Sequence, residues 1–297
     1  MKAVIPILIN DSNMTNNITI TETLWTAGTY TLGAKRYKAD TYIEYEVIVA
    51  STSDEPVFGT QQDPPTWKKV GVINKYRMFD GLYATQSSRT SPIEVVVESG
   101  SNFINAVAVL GISDAEFINI SVEDTLLGVV YDKTVQLIDN SEVVDWWNFF
   151  YSPYELKTEI VFIDLPFYNN VTVTVTLTGE DVVKCGEILM GRVFSLGQTQ
   201  LYSGLGIVDF SKKERDDEGN FSLEERTYVK RIDYDVQVDR NRVASVNNFL
   251  TKYRATPTVW IGEESAEETI IYGFFRDFEI VLSSPTICEC NISVEGL

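Results

Sequence analysis

The side chains able to do chemistry in this chain are carboxylates. There are 43 Asp and Glu against 24 Lys and Arg, and no histidine. Histidine is the commonest general base near neutral pH and the commonest metal ligand. Its absence excludes Ser–His and Cys–His nucleophile systems and the zinc-hydrolase motifs. One enzymatic chemistry remains. Glycoside hydrolysis needs only two carboxyl groups about 5 to 10 Å apart. Among 43 acids some pair always lies that close, so the sequence singles out no catalytic residue and the chain reads as a binder, not an enzyme.

Other reactive groups are sparse. Cys185, Cys288 and Cys290 are too few, and odd in number, for a disulfide framework. Cys288 and Cys290 flank Glu289, so a strand would turn both thiols to one face as small apolar groups. Gly204-x-Gly206 lacks the third glycine of a dinucleotide loop. Asp216-Asp217-Glu218-Gly219-Asn220 is oxygen-rich enough to hold calcium weakly but lacks EF-hand spacing, and it reads as a hairpin tip. No cofactor and no metal site is assigned.

The formal net charge is −19. The densest basic stretch, Lys212, Lys213 and Arg215, is cancelled by the acids that follow it. Sequence-specific nucleic-acid binding needs a clustered basic face and is not expected. The acidic surface serves solubility, or lines a lumen that must not adhere to DNA. MKAVIPILINDSN is no signal peptide, since Pro6 interrupts a short apolar run. No run approaches the roughly 18 apolar residues of a membrane span. Cysteine usage suits folding in a reducing cytosol.

The elements that must position any site are strands. Val171 to Thr178 reads VTVTVTLT, an alternation that places one face inside and one in water. Ile93 to Val97 and Asn105 to Leu110 read as more fully buried strands. Further strands are expected over 43–49, 117–122, 159–163, 187–193, 228–238, 268–282 and 287–294. One amphipathic helix is expected over 242–254, with Asn241 as N-cap and Pro257 beyond its end. The fold class is all-β, with β-sandwich or jelly-roll-like domains. Three regions are expected: 1–72, a small aromatic-rich β module; 73–194, a β-sandwich; and 195–297, a β domain with the helix, suited to assembly.

Trp25, Tyr30, Tyr37, Tyr42, Tyr45 and Trp67 crowd the first region. Flat aromatic faces stack on sugar rings with large area and few torsions to freeze. The spacing W-x4-Y-x2-G-x3-Y, then Pro56 and Trp67, resembles small chitin- or cellulose-binding modules. That resemblance implies glycan contact by Trp25, Tyr30, Tyr37 and Trp67; the alternative is that these rings form the core of a small domain. The second region resembles the galactose-binding-like jelly roll, in which a loop Asp binds sugar or a structural calcium. Asp80 holds the matching position, with an Asp-Gly turn as the alternative. Trp146, Trp147, Phe149 and Phe150 form a dense aromatic run, suited to a subunit interface or to a core cluster under a loop.

Taken whole, the chain resembles virion proteins of tailed bacteriophages. The residues that carry this are WKKVGVINKYRMFDG (67–81), IDLPFYNNVTVTVT (163–176), VKCGEILMG (183–191), GIVDFSKKERDDEGNFSLEERTYVKR (206–231) and the segments from Tyr272 to Leu297. The resemblance implies a homo-oligomeric part of the tail, collar or tail tip. Its partners would be other virion proteins, copies of itself and, where it meets the host, a surface glycan. It would be made in the host cytoplasm and located in the virion. The alternatives are a carbohydrate-binding adhesin module and, behind it, a carboxylate-based depolymerase.

Overall fold

A computed structural model describes residues 1–139, 145–151, 155–201, 203–215, 221–264 and 266–297. The chain is all-β, with one helix of more than two turns. A ten-stranded antiparallel sheet runs in the order 159–162, 106–110, 187–195, 2–6, 258–261, 270–281, 287–296, 228–239 and 198–199, with 204–209 also pairing 228–239. A five-stranded sheet, in the order 128–136, 117–124, 171–178, 93–98 and 14–16, packs on one end of it.

The alternating strand Val171–Thr178 behaves as its pattern requires. Its valines and Leu177 are buried and its threonines are not. Val173, Val175 and Leu177 meet Val107, Val109, Ile188 and Met190 of the larger sheet in one apolar cluster. Ala106–Leu110 is buried at every position because both of its faces are covered. Val107 and Val109 point into the sandwich, while Ala106, Ala108 and Leu110 join Val4, Leu189, Val259 and Tyr272. The second cluster fills the inside of a curl, and the ion pair of Lys230 with Glu159 brings strands from opposite ends of the sheet order together.

The helix is Val243–Lys252. It buries Val246, Phe249 and Leu250 against the outer face of the curl, where Phe249 stacks on Phe194 at 4.4 Å and meets Trp260 edge-on. Asn241 does not cap it. A 3-10 turn, Arg240–Arg242, precedes it, and no side chain caps either segment.

The pairings cross the expected boundaries at 72 and 194. Strand Lys2–Pro6 lies between Glu187–Ser195 and Thr258–Ile261, and Met14–Asn16 pairs with Ile93–Glu98. The aromatic module is therefore an insertion after residue 16, not an N-terminal domain. The physical reason is that Ala3 and Val4 are fully buried on opposite faces of one strand, which only a central position in a covered sheet allows. Gly191 faces Pro6 in this register, and a Cβ there would lie 1.9 Å from the Ile5 carbonyl oxygen. Gly191→Ala should lower stability by about 1–3 kcal/mol, read as a shift in the urea midpoint; an unchanged midpoint would contradict the close approach.

Candidate functional site

The rings expected to hold glycan are mostly a core. Trp67 is 1% exposed because strand Trp67–Val72 turns it inward against Tyr45 and Val47, with Trp25 and Tyr30 packed around them. Tyr30 meets Trp67 edge-on at 5.6 Å and donates its hydroxyl to the Thr26 carbonyl. Trp25 is half-buried beneath the Lys38 ammonium, and its indole N–H has no hydrogen-bond partner among the described residues. Tyr37 stands outside the cluster. Trp67 therefore has no face to offer a sugar, and an apolar core in a small module accounts for the W-x4-Y pattern.

Asp80 lies elsewhere, in a groove that the module forms with the sandwich. Two adjoining cavities, of about 270 and 540 Å3, share Ile9, Phe79 and Asp80 in their walls. The chain leaving strand Lys2–Pro6 supplies one wall through residues 7–12. The opposite wall is the 3-10 turn Asn74–Phe79. Asn74 pins that turn by bonding both the carbonyl and the N–H of Ser88, each at 2.8 Å, and Met78 anchors it in the core. The turn ends at Asp80, followed by Gly81 at φ +78°. Asp80 accepts the Leu82 N–H at 2.9 Å and the Thr85 hydroxyl at 2.7 Å.

Two tyrosines face the larger cavity. Tyr42 and Tyr76 lie ring against ring, with centroids 4.1 Å apart. Tyr42 adopts φ +55°, a conformation costing a non-glycine residue about 1–3 kcal/mol. Hydrogen bonds from its N–H to the Lys38 carbonyl and to its own carbonyl from the Ile73 N–H hold it there. That backbone aims the ring into the groove, where its hydroxyl donates to Asp11. The hydrogen bond to Asp11 raises the Tyr42 pKa, and burial raises that of Tyr76. Both stay neutral donors at any ordinary pH.

Beneath Asp80 lies Glu187, in the smaller cavity. It is 7% exposed, and its Oε2 accepts the Gly81 N–H at 3.0 Å. Burial, opposed by that bond and reinforced by the charge on Asp80, pushes its carboxyl up to about 8. Tyr272 also lines this cavity, with its hydroxyl 3.4 Å from the Gly81 carbonyl oxygen. Sequence reading did not select Tyr42, Tyr76, Asp11 or Glu187 as site residues. The available signal was Glu187 itself, an acid set directly against the apolar run Ile188 to Met190.

A further cavity, of about 830 Å3, lies between residues 195–199, 237–242 and 261–264, and among the described residues no aromatic side chain lines it. Among the described residues no group of three or more Cys, Asp or Glu is placed to hold a metal ion. The oxygen-rich stretch 216–220 lies outside the described residues. Trp146, Trp147 and Phe150 are 79%, 69% and 68% exposed on a short helix, Trp146–Tyr151, which rules out a core cluster for these three; the side chain of Phe149 lies outside the described residues. No helix among the described residues is long and apolar enough to cross a membrane.

No family model and no curated protein matches the chain. One solved structure, described as "CpGH89CBM32-6 produced by Clostridium perfringens", is similar at 14% identity, covering 40% of this chain and 85% of that one with a TM-score of 0.26. A likeness at that score carries nothing further about this chain.

The raised Glu187 pKa sets a pH dependence. The folded state keeps its proton to about pH 8, whereas the ordinary value is 4.5. Between those values the folded state binds more protons than the unfolded one, so the stabilisation is complete below 4.5 and is lost as pH rises through 8. The loss is up to about 1.4 kcal/mol per pH unit. Glu187→Gln removes that titration. Urea unfolding at pH 5 and pH 8 should show the variant gaining on the parent at the higher pH; a constant difference would contradict the buried neutral carboxyl.

Proposed function

We propose that this chain is a glycan-binding component of a tailed-phage virion, contacting the host surface through the groove beside Tyr42. The observation that carries the reading is the Tyr42–Tyr76 pair. A backbone strained at a single residue presents a ring over a cavity bordered by Asp11 and Asp80. Sugar recognition asks for that combination, an aromatic face for the C–H surface and fixed acceptors for the hydroxyls. Binding rather than turnover fits Asp80, whose two oxygens are occupied by Leu82 and Thr85 within its own turn. The virion setting rests on the chain-long resemblance described above. An array of host-surface polysaccharides should bind the protein, and Tyr42→Ala or Tyr76→Ala should weaken binding roughly tenfold or more with unchanged circular dichroism. Absence of binding to any polysaccharide, or full binding by both variants, would overturn the reading.

A structural role in the same particle is the second reading, and one feature favours it. The ribbon formed by Gly204–Asp209 with Tyr228–Asp239, continued by Lys212–Arg215 with Phe221–Glu224, exposes Leu205, Ile207, Phe221 and Leu223 at 56–72%. A two-stranded ribbon is marginal in water by itself, and apolar side chains of this size suit a neighbouring copy. The exposed Trp146, Trp147 and Phe150 add a second such patch. Light scattering should give an oligomer that Phe221→Asp with Leu223→Asp reduces to a monomer. A parent protein that is monomeric and absent from purified particles would overturn this role.

A further inference from the structure

Strand Gly204–Asp209 is an open edge. It pairs with Tyr228–Asp239 on one side, and among the described residues nothing hydrogen-bonds the backbone of its other side. Natural sheets guard such an edge with lysine, proline or a bulge. Residues 204–208 read GLGIV, with none of these guards. Gly204 and Gly206 leave the backbone bare, since a Cβ built on either meets no atom closer than 4.0 Å. Leu205 and Ile207 are 56% and 62% exposed. Such an edge offers a row of backbone donors and acceptors to a further strand.

Two arguments select a second copy of this chain as that strand. The first is charge. The chain carries −19, yet 204–208 holds no charged residue, so two acidic copies meet there with no like charges opposed. The second is self-complementarity. In an antiparallel pairing with Gly206 on the two-fold axis, Leu205 of each copy faces Ile207 of the other, and Val208 faces Gly204. Directly opposed residues share a face, so the leucines and isoleucines of both copies form one apolar patch, continuous with Ile232. Carried further, the same register brings Leu201, which is fully exposed, beside Phe210 and Ser211 of the second copy. Paired edges bury only part of the roughly 1,200 Å2 of a stable interface, and these side chains supply more.

We infer that two copies join through this edge about a two-fold axis at Gly206, so that one antiparallel sheet runs through both. This rests on the structural reading above and gives its interface a geometry. The contact uses the same surface on each copy, so through this edge it closes at two.

Disulfide crosslinking and light scattering of the full chain test this. Gly206→Cys should give a disulfide-linked dimer on air oxidation, because residues on the axis face each other. Leu205→Cys alone should not, because its counterpart lies two residues along the strand, beyond disulfide reach. Mixed with Ile207→Cys, it should. The native cysteines are buried and stay out of the exchange. Gly206→Lys sets two ammonium groups opposite each other and should raise the dimer dissociation constant at least roughly tenfold, with unchanged circular dichroism. No crosslink through Gly206→Cys, or an unchanged dissociation constant in Gly206→Lys, would overturn the edge pairing, while an oligomer that persists in both leaves the structural reading standing. Crosslinking by Leu205→Cys alone would mean another register and overturn the axis at Gly206. A parent that is monomeric in solution would also overturn the edge pairing, and its absence from purified particles would then remove the structural reading as well.

Discussion

The structure depends on where the strand Lys2–Pro6 lies. It hydrogen-bonds Glu187–Ser195 on one side and Thr258–Ile261 on the other, and the Thr258 hydroxyl donates to its Val4 carbonyl. It is thus the seam through which the sandwich half of the large sheet continues into the C-terminal half. Its two faces serve different clusters, with Ala3 beneath the helix and Val4 inside the curl. The chain that leaves this strand then becomes a wall of the groove. Core formation and site formation therefore draw on one segment, and a disturbance of the seam reaches the groove directly.

Glu187 belongs to the same seam. It opens the strand that pairs with Lys2–Pro6, and its alternation places it under the Asp80–Gly81 turn instead of in solvent. A carboxyl in that position is tolerable in its neutral form, with one oxygen accepting a backbone N–H. An apolar residue of similar size would fill the position at lower cost in water-free surroundings.

Much of the fold was legible. Val171–Thr178 alternates so strictly that its bounds and its faces follow from the letters, and Ala106–Leu110 announced burial on both sides by having no polar residue. The helix showed through Val246, Phe249 and Leu250. Lys2–Pro6 was obscure because it is short and ends in proline, and Gly128–Gln136 because an edge strand with mixed exposure lacks a clean period. Partner choice across 185 residues of sequence, as in Pro6 facing Gly191, has no local signal at all. For the site, Asp80 came forward through a resemblance, with an Asp-Gly turn as the alternative, and it stands in such a turn at the edge of the groove. The aromatic spacing pointed to Trp25 and Trp67, since sequence does not tell a core ring from a presented one. Tyr42 is distinguished only by a backbone angle, which its side-chain type does not reveal.

The central claim is that Lys2–Pro6 joins sandwich and curl into one cooperative body that fixes the groove. Native-state hydrogen exchange tests it most directly, through the amides of Val4, Val175 and Ile292. The account predicts that all three exchange only by global unfolding, with one common free energy. A lower opening free energy for Ile292, with Val4 and Val175 still protected, would mean that the C-terminal strands open by themselves, and would contradict it.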